Sequence, residues 1–197
     1  MRLGVETWLA AQGVGPERTA APPDEVALGP DADQEAVART ILLDQLTGQA
    51  RSRSELAGKL AAKGVPDDLA DRLLSRFEEV GLVDDPAFAR SWVHSRQGGK
   101  GLARRALAQE LRRKGIDDEV AREALDELDP EAEVEAARLL VRRKLRSVAG
   151  VDRATAVRRL SGMLARKGYP SGVAFRVVRE ELEAAGRDTE GLLDGLS

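Results

Sequence analysis

Three segments of the chain share one pattern of apolar and polar positions. In each copy, a second leucine follows the first after four residues, and Lys-Gly comes soon after: Leu56, Leu60 and Lys63-Gly64; Leu107, Leu111 and Lys114-Gly115; Leu160, Leu164 and Lys167-Gly168. Leucines at this spacing lie on one face of an α-helix, and lysine followed by glycine is typical of a helix end. The near-constant period, from Lys63 to Lys114 and then to Lys167, predicts tandem copies of one helical unit.

The apolar spacing around each copy predicts three helices per unit. They cover residues 36–46, 54–63 and 67–80 in the first unit, 86–96, 102–114 and 117–128 in the second, and 131–146, 153–167 and 171–182 in the third. Asp85 followed by Pro86 is typical of a helix start. No segment alternates β-branched and polar residues as a strand would. We therefore expect an all-α fold whose small units stack into one continuous core.

The predicted repeats occupy residues 34–84, 85–129 and 130–185. Residues 1–33 are rich in glycine, proline, small and acidic side chains, so ordering them would bury little apolar surface. We expect a disordered acidic N-terminal tail at 1–33 and a short acidic C-terminal tail at 186–197. The chain has no cysteine and no apolar run near the ~20 residues that span a bilayer, which favours a cytoplasmic protein.

Charge is segregated along the chain, although the net charge is only −3. Residues 96–114 carry seven basic side chains and one acidic side chain, and residues 138–167 carry ten basic and one acidic. The segment between them, 117–135, carries ten acidic and one basic. Such blocks indicate an oriented electrostatic surface rather than a uniformly solvated one.

The second unit carries a recognisable signature. Phe77-Glu78-Glu79-Val80, the end of the helix predicted at 67–80, is followed by Gly81-Leu82-Val83-Asp84-Asp85 and then by Phe88-Ala89. A basic glycine-rich segment then leads to Glu110-Leu111, Lys114-Gly115 and Ile116. This combination resembles the RecX family, bacterial regulators of the RecA recombinase. The resemblance covers about residues 36–185 and is densest over 76–116.

The resemblance implies a fold and a partner. Members of this family are elongated, curved arrays of tandem three-helix repeats that bind in the groove of the RecA–single-stranded DNA filament. They limit filament extension and suppress its ATPase, strand-exchange and coprotease activities. The family pattern supplies no catalytic residue, so we expect a monomeric non-enzyme without cofactor, acting in DNA recombination and repair. Its expected partners are RecA and the filament, with weak nucleic-acid contact and no membrane contact.

Basic residues of the second and third units are the candidate contacts with DNA or RecA. They are Arg104, Arg105, Arg112, Arg113, Arg138, Arg142, Arg143, Lys144, Arg146, Arg158, Arg159 and Arg166. A scaffold alone would not need the charge to differ between copies, yet it does at two aligned positions. Arg105 and Arg158 correspond to Ser54, and Arg113 and Arg166 correspond to Ala62.

Structural roles compete with these functional ones. Lysines at the three Lys-Gly pairs complement the negative end of a helix, and Arg142 to Arg146 would do so for their own helix. Phe88 and Trp92, at helical spacing, are expected in the core. Only Trp92 and Tyr169 are aromatic residues that remain plausible for base stacking. So few stacking residues do not support tight, independent binding of single-stranded DNA.

Other chemistry has little support. His94 is the single histidine, and no cysteine accompanies it, so no metal site is predicted. Residues 97–101 superficially resemble a phosphate loop, but they lack its Gly-Lys-Ser/Thr spacing and a preceding strand, so we expect a flexible turn. No catalytic set is predicted.

Two other functions remain open at this stage. Each unit could hold a helix-turn-helix, which would allow DNA binding without RecA, although Asp117-Asp118-Glu119 at the start of one candidate recognition helix would repel phosphate. A passive helical scaffold for another partner is the second alternative.

Overall fold

The computed structural model describes the backbone of residues 30–194 and the side chains of residues 34–186. Over this range the chain forms nine α-helices and one 3-10 turn, without a strand. Unit 1 comprises α1 (Pro30–Gly48), α2 (Arg53–Ala61) and α3 (Asp67–Glu79); unit 2 comprises α4 (Asp85–Lys100), α5 (Arg104–Arg113) and α6 (Asp118–Asp126); unit 3 comprises α7 (Pro130–Lys144), the 3-10 turn Leu145–Val148, α8 (Arg153–Arg166) and α9 (Ser171–Asp194). The predicted all-α fold of three tandem three-helix repeats is confirmed.

Helix ends differ from prediction in three places. The first helix already begins at Pro30, inside the predicted tail, while residues 1–29 lie outside the described residues. The last helix continues to Asp194, through most of the predicted C-terminal tail, and residues 195–197 lie outside. The flexible turn predicted at 97–101 is wrong, because α4 stays helical to Lys100. Glycine alone weakens a helix by only about 1 kcal/mol; the helix ends where Gly101 adopts a left-handed φ of 59°.

Side-chain caps define several helix starts. Asp84 Oδ1 accepts a hydrogen bond from the Ala87 N–H at 2.7 Å, which makes Asp84, rather than the predicted Asp85, the N-cap of α4. Ser52 and Glu55 form a reciprocal capping box at the start of α2. Each cap satisfies backbone N–H groups that the first turn leaves unpaired, so α2 and α4 begin at defined residues.

Each unit buries its own apolar cluster. The leucines of the repeated pattern are at most 2% exposed: Leu56, Leu60, Leu107, Leu111, Leu160 and Leu164. The expectation of one continuous core is wrong, since the described residues form three clusters, one per unit. Ala103, at the start of α5, packs with the cluster of unit 3. The three amphipathic helices of each unit therefore cover its own leucine stripe. The units are held together by contacts at their joints rather than by one shared apolar core.

The Lys-Gly pair of one unit docks onto the middle helix of the unit before it. At the first joint, the Lys114 carbonyl accepts a hydrogen bond from Ser52 Oγ at 2.6 Å, and Lys114 Nζ pairs with Glu55 at 2.6 Å. At the second joint, the Lys167 carbonyl accepts from the Ala103 N–H at 2.9 Å, and Lys167 Nζ donates to the Lys100 carbonyl at 2.6 Å. The sequence predicted helix-end lysines, and the structure shows that two of them also hold adjacent units together.

Close approach at these joints requires glycine. Gly64, Gly115 and Gly168 all have left-handed φ values, 75°, 71° and 91°, as the sequence predicted for residues that follow a helix. A Cβ atom at Gly168 would lie 2.6 Å from the Ala106 backbone nitrogen, and one at Gly115 would collide with the Ser54 side chain. A Cβ atom at Gly64 would meet none of the described residues within 4 Å. The same glycine therefore has a packing role in units 2 and 3 that it lacks in unit 1.

The middle helix of unit 3 begins one turn earlier than its counterparts. Ala156 aligns with Ser52 and Ala103, the two residues that bind a lysine carbonyl at the joints. Ala156 instead lies inside α8, and its N–H donates to the Asp152 carbonyl at 2.9 Å. The N–H group that would form the next joint is thus already used within the helix.

Candidate functional site

Four of the predicted contact residues form ion pairs within the molecule. Arg104 pairs with Asp126 at 2.6 Å and Arg112 with Asp118 at 2.8 Å. Arg138 bridges to Glu180 at 3.2 Å, and Arg142 binds both carboxylate oxygens of Glu181 at 2.8 and 2.9 Å. The side-chain hydrogen bonds to these carboxylates raise the pKa values of Arg112, Arg138 and Arg142. These arginines link neighbouring helices, and any external anion must compete with a carboxylate already in place.

Arg142 illustrates the structural role most clearly. Its partner Glu181 lies on the buried face of α9, with a side chain only 8% exposed. A carboxylate at that depth needs a cationic partner, because an unpaired buried charge is strongly unfavourable. Arg142 therefore neutralises Glu181 and ties α7 to α9.

The other eight predicted residues are exposed and have no carboxylate partner within the described part of the chain. They are Arg105, Arg113, Arg143, Lys144, Arg146, Arg158, Arg159 and Arg166. This set contains both aligned pairs that the sequence singled out. Cationic side chains without an internal partner can bind an external anion without first breaking an ion pair.

Some of the candidate arginines line grooves between the second and third helices of units 2 and 3. The groove in unit 2, of about 600 Å³, contains Arg104, Arg105 and Arg112 together with Asp118 and Asp126. Positive and negative side chains alternate there, so the groove offers little net charge to a ligand. The remaining predicted residues do not converge on one site, and the basic surface is distributed over two units.

Phe88 and Trp92 pack against the apolar cluster of unit 2. Trp92 stacks on Phe88 with centroids 5.6 Å apart, and its Nε1–H donates to Glu110 at 2.9 Å. Arg96 and Lys114 lie over the Trp92 ring, 4.1 and 4.6 Å from its centroid. This arrangement confirms the core assignment of Phe88 and Trp92, and it leaves the indole face covered by cations.

Tyr169 is likewise internal. The ring is 4% exposed, and the hydroxyl donates to the Gly101 carbonyl at 3.2 Å across the joint between units 2 and 3. Burial, assisted by the nearby charge of Glu133, raises the pKa of Tyr169 to about 12. The two aromatics considered for base stacking therefore serve packing.

Phe175 is the exposed aromatic that the sequence analysis missed. It lies on α9 and is 54% exposed, whereas Ala174, Val177 and Val178 on the same helix are buried. The helical spacing contained this signal, because positions 174, 177 and 178 define the buried face and 175 falls beside it. Among the described residues it is the aromatic side chain most open to a ligand.

In the described residues, no helix is long and apolar enough to cross a membrane. Over the same residues, histidine, aspartate and glutamate side chains do not gather into a group that could hold a metal ion.

Comparison with known proteins identifies the family. Models of the first, second and third three-helix domains of RecX match residues 38–77, 84–125 and 131–178. The chain belongs to the RecX family. Regulatory protein RecX of Streptomyces lividans is 54% identical over 165 residues, which cover 84% of this chain and 88% of that protein. Regulatory protein RecX of Thermobifida fusca is 48% identical over 177 residues, with 85% and 96% covered.

A solved structure agrees with this fold. The crystal structure of RecX from Lactobacillus salivarius superposes with a TM-score of 0.70 at 21% identity, covering 76% of this chain and 97% of that one. At that identity the likeness establishes the fold alone. The sequence matches to proteins named as RecX regulators support a regulatory role for this chain, and they place its three repeats in the order that the family models describe.

Proposed function

We propose that this chain binds RecA and its single-stranded DNA filament and inhibits filament extension, ATPase, strand exchange and coprotease activity. Membership of the RecX family supports the proposal. The observation that carries it is the pair Arg105 and Arg158, which are exposed and lack a carboxylate partner among the described residues. The first unit has Ser54 at that position. The positive charge therefore belongs to the two units that would face the filament.

The proposed mechanism is electrostatic and distributed rather than catalytic. Exposed arginines in units 2 and 3 would contact phosphates of the filament DNA or acidic side chains of RecA. Each contact is weak, but the rigid joints between units fix their spacing, so that successive contacts become intramolecular. We further infer that one chain acts as a monomer in the cytoplasm.

The test measures RecA-catalysed ATP hydrolysis and strand exchange with substoichiometric amounts of the protein. Both rates should fall. Unchanged rates at low salt would rule out the proposal. Size-exclusion chromatography with light scattering measures the molar mass in solution and so tests the monomeric state.

The role of the aligned arginines needs a matched comparison. The double variant Arg105→Ala/Arg158→Ala should inhibit less while unfolding at the same temperature, because neither side chain forms an ion pair among the described residues. The control Arg76→Ala/Arg90→Ala removes the same charge from exposed positions on α3 and α4 and should inhibit normally. Equal inhibition by both double variants would remove Arg105 and Arg158 from the mechanism.

DNA binding without RecA is the alternative function, and a gel-shift assay separates it from the proposal. The helix α6, the candidate recognition helix of unit 2, begins Asp118-Glu119 after the cap Asp117. Acidic side chains there would face phosphates unfavourably. Tight, sequence-selective binding to bare duplex in gel shifts would favour this alternative.

A further inference from the structure

Units 2 and 3 present the same groove with opposite chemistry. Residues of the unit 2 groove correspond to unit 3 residues 53 positions later, as Arg105 does to Arg158 and Ala121 does to Ala174. In unit 2, three arginines pair with acids: Arg104 with Asp126, Arg112 with Asp118 and Arg122 with Glu119. In unit 3, the positions of Arg104, Arg112 and Arg122 hold Val157, Ala165 and Phe175, respectively. The positions of their partners Asp126, Asp118 and Glu119 hold Arg179, Ser171 and Gly172. Every internal ion pair of the groove has been replaced.

The result is an open basic groove with an apolar floor. It lies between α8 and α9, has a volume of about 850 Å³ and contains no carboxylate among the described residues that line it. Arg158 and Arg179 line it, and neither has an ion pair within the described residues. Arg153, also at its edge, pairs with Glu183 at 3.0 Å. A volume of this size matches typical small-ligand sites.

Phe175 gives the groove its shape preference. The ring is 54% exposed at the groove, and Arg179 follows four residues later on the same face of α9. The other apolar lining residues are mostly alanine and valine, which form a shallow surface. A flat ring fits such a surface better than the bulky anchors of an amphipathic helix, which need deeper pockets.

We propose that this groove, hereafter the unit 3 groove, is a nucleotide subsite for single-stranded DNA. One base stacks on Phe175, and the adjacent phosphates bind Arg158 and Arg179. Stacking on an aromatic ring tolerates any base, so the subsite reads no sequence. The proposal rests on the filament-binding function above and assigns a nucleic-acid contact to unit 3.

The test measures binding of the intact protein to a fluorescein-labelled oligothymidylate of about ten nucleotides, by anisotropy at low salt and without RecA. Phe175→Ala should weaken binding about five- to 150-fold, while Phe175→Tyr should retain it. Arg158→Ala and Arg179→Ala should each reduce the slope of log affinity against log salt by about 0.7. Thermal unfolding by circular dichroism checks that each variant folds.

Arg176→Ala is the matched control. Arg176 neighbours Phe175 in sequence but lines a different surface with Glu131 and Glu135, so its loss should leave the salt slope unchanged. The proposal is overturned if the wild-type protein does not bind the oligonucleotide, if Phe175→Ala binds normally, or if Arg176→Ala has the same effect as Arg179→Ala. Binding of an acidic leucine-rich peptide with no oligonucleotide binding would identify a protein site instead and would also overturn it.

The outcome is separable from that of the proposed function. Normal inhibition of RecA ATPase by Phe175→Ala, together with unchanged oligonucleotide binding, overturns the subsite alone. Phe175-dependent oligonucleotide binding without any effect on RecA supports the subsite and contradicts the filament function.

Discussion

The glycines of the Lys-Gly pairs allow the joint between units to be tested separately from the helix end. Gly64 and Gly168 share a left-handed conformation, with φ of 75° and 91°. Alanine in the left-handed conformation destabilises the folded state by roughly 1–2 kcal/mol. The lower conformational entropy of the unfolded alanine variant offsets about 0.4–1 kcal/mol of this loss. Gly64→Ala, which faces open space, should therefore cost about 1 kcal/mol.

Gly168→Ala carries the same backbone cost and a steric one. Its Cβ atom would lie 2.6 Å from the Ala106 backbone nitrogen, a contact that no rotamer change can relieve. Opening the joint would forfeit the hydrogen bonds of the Lys167 carbonyl with Ala103 and of Lys167 Nζ with the Lys100 carbonyl, each worth about 1 kcal/mol. The total is about 3 kcal/mol.

Urea unfolding followed by circular dichroism measures both variants. We expect Gly168→Ala to lose about 2 kcal/mol more than Gly64→Ala, the sum of the two lost hydrogen bonds, which corresponds to a further drop of very roughly 4–8 °C in melting temperature. Equal losses would refute the reasoning, since they would mean that the joint contributes nothing beyond the helix end.

Two other predictions concern residues at the same joints. Tyr169 is the single tyrosine of the chain, so its phenolate absorbance should titrate near pH 12 in the folded protein and near pH ~10 in denaturant. Because the folded pKa is the higher one, the neutral form favours folding; stability is intact below pH ~10 and falls as pH rises towards 12. Tyr169→Phe should remove this part of the alkaline loss, and an identical pH profile for the variant would contradict the assignment. Lys114→Ala should destabilise by about 1 kcal/mol through loss of the pair with Glu55 and of the Trp92 contact. Lys63→Ala, at the aligned exposed position in unit 1, should change stability by less than about 0.5 kcal/mol, and a comparable loss there would point to helix-end charge instead.

Local sequence signals were enough for the repeats and for most helix ends. The leucine spacing and the glycine after each middle helix are short-range patterns, and the structure confirms buried leucines and left-handed glycines at all three copies. The contacts of Lys114 and Lys167 were beyond reach, because their partners lie 59 and 67 residues away in sequence. Nothing local distinguishes a lysine that faces solvent from one that docks on the preceding unit.

At the candidate site, too, local sequence patterns were informative and contacts distant in sequence were not predictable. The alignment of copies singled out Arg105 and Arg158, which the structure leaves exposed and, within the described residues, without a carboxylate partner. The sequence could not separate them from Arg104 or Arg142, because the carboxylates that pair with these two lie on other helices. Phe175 takes the place of Arg122 of unit 2, and its exposure follows from its position beside the buried face of α9 rather than from its residue type.

The early start of α8 has a consequence for assembly between molecules. A joint in which each unit docks head-to-tail on the one before it does not close on itself, and such contacts between copies generate open fibres. Within the described residues Gly64 of unit 1 faces open space, so this end offers one half of the contact that an end-to-end polymer would need. The Ala156 N–H, which would supply the other half, is bonded to the Asp152 carbonyl within α8. We expect the additional helical turn to disfavour polymerisation through the repeat interface.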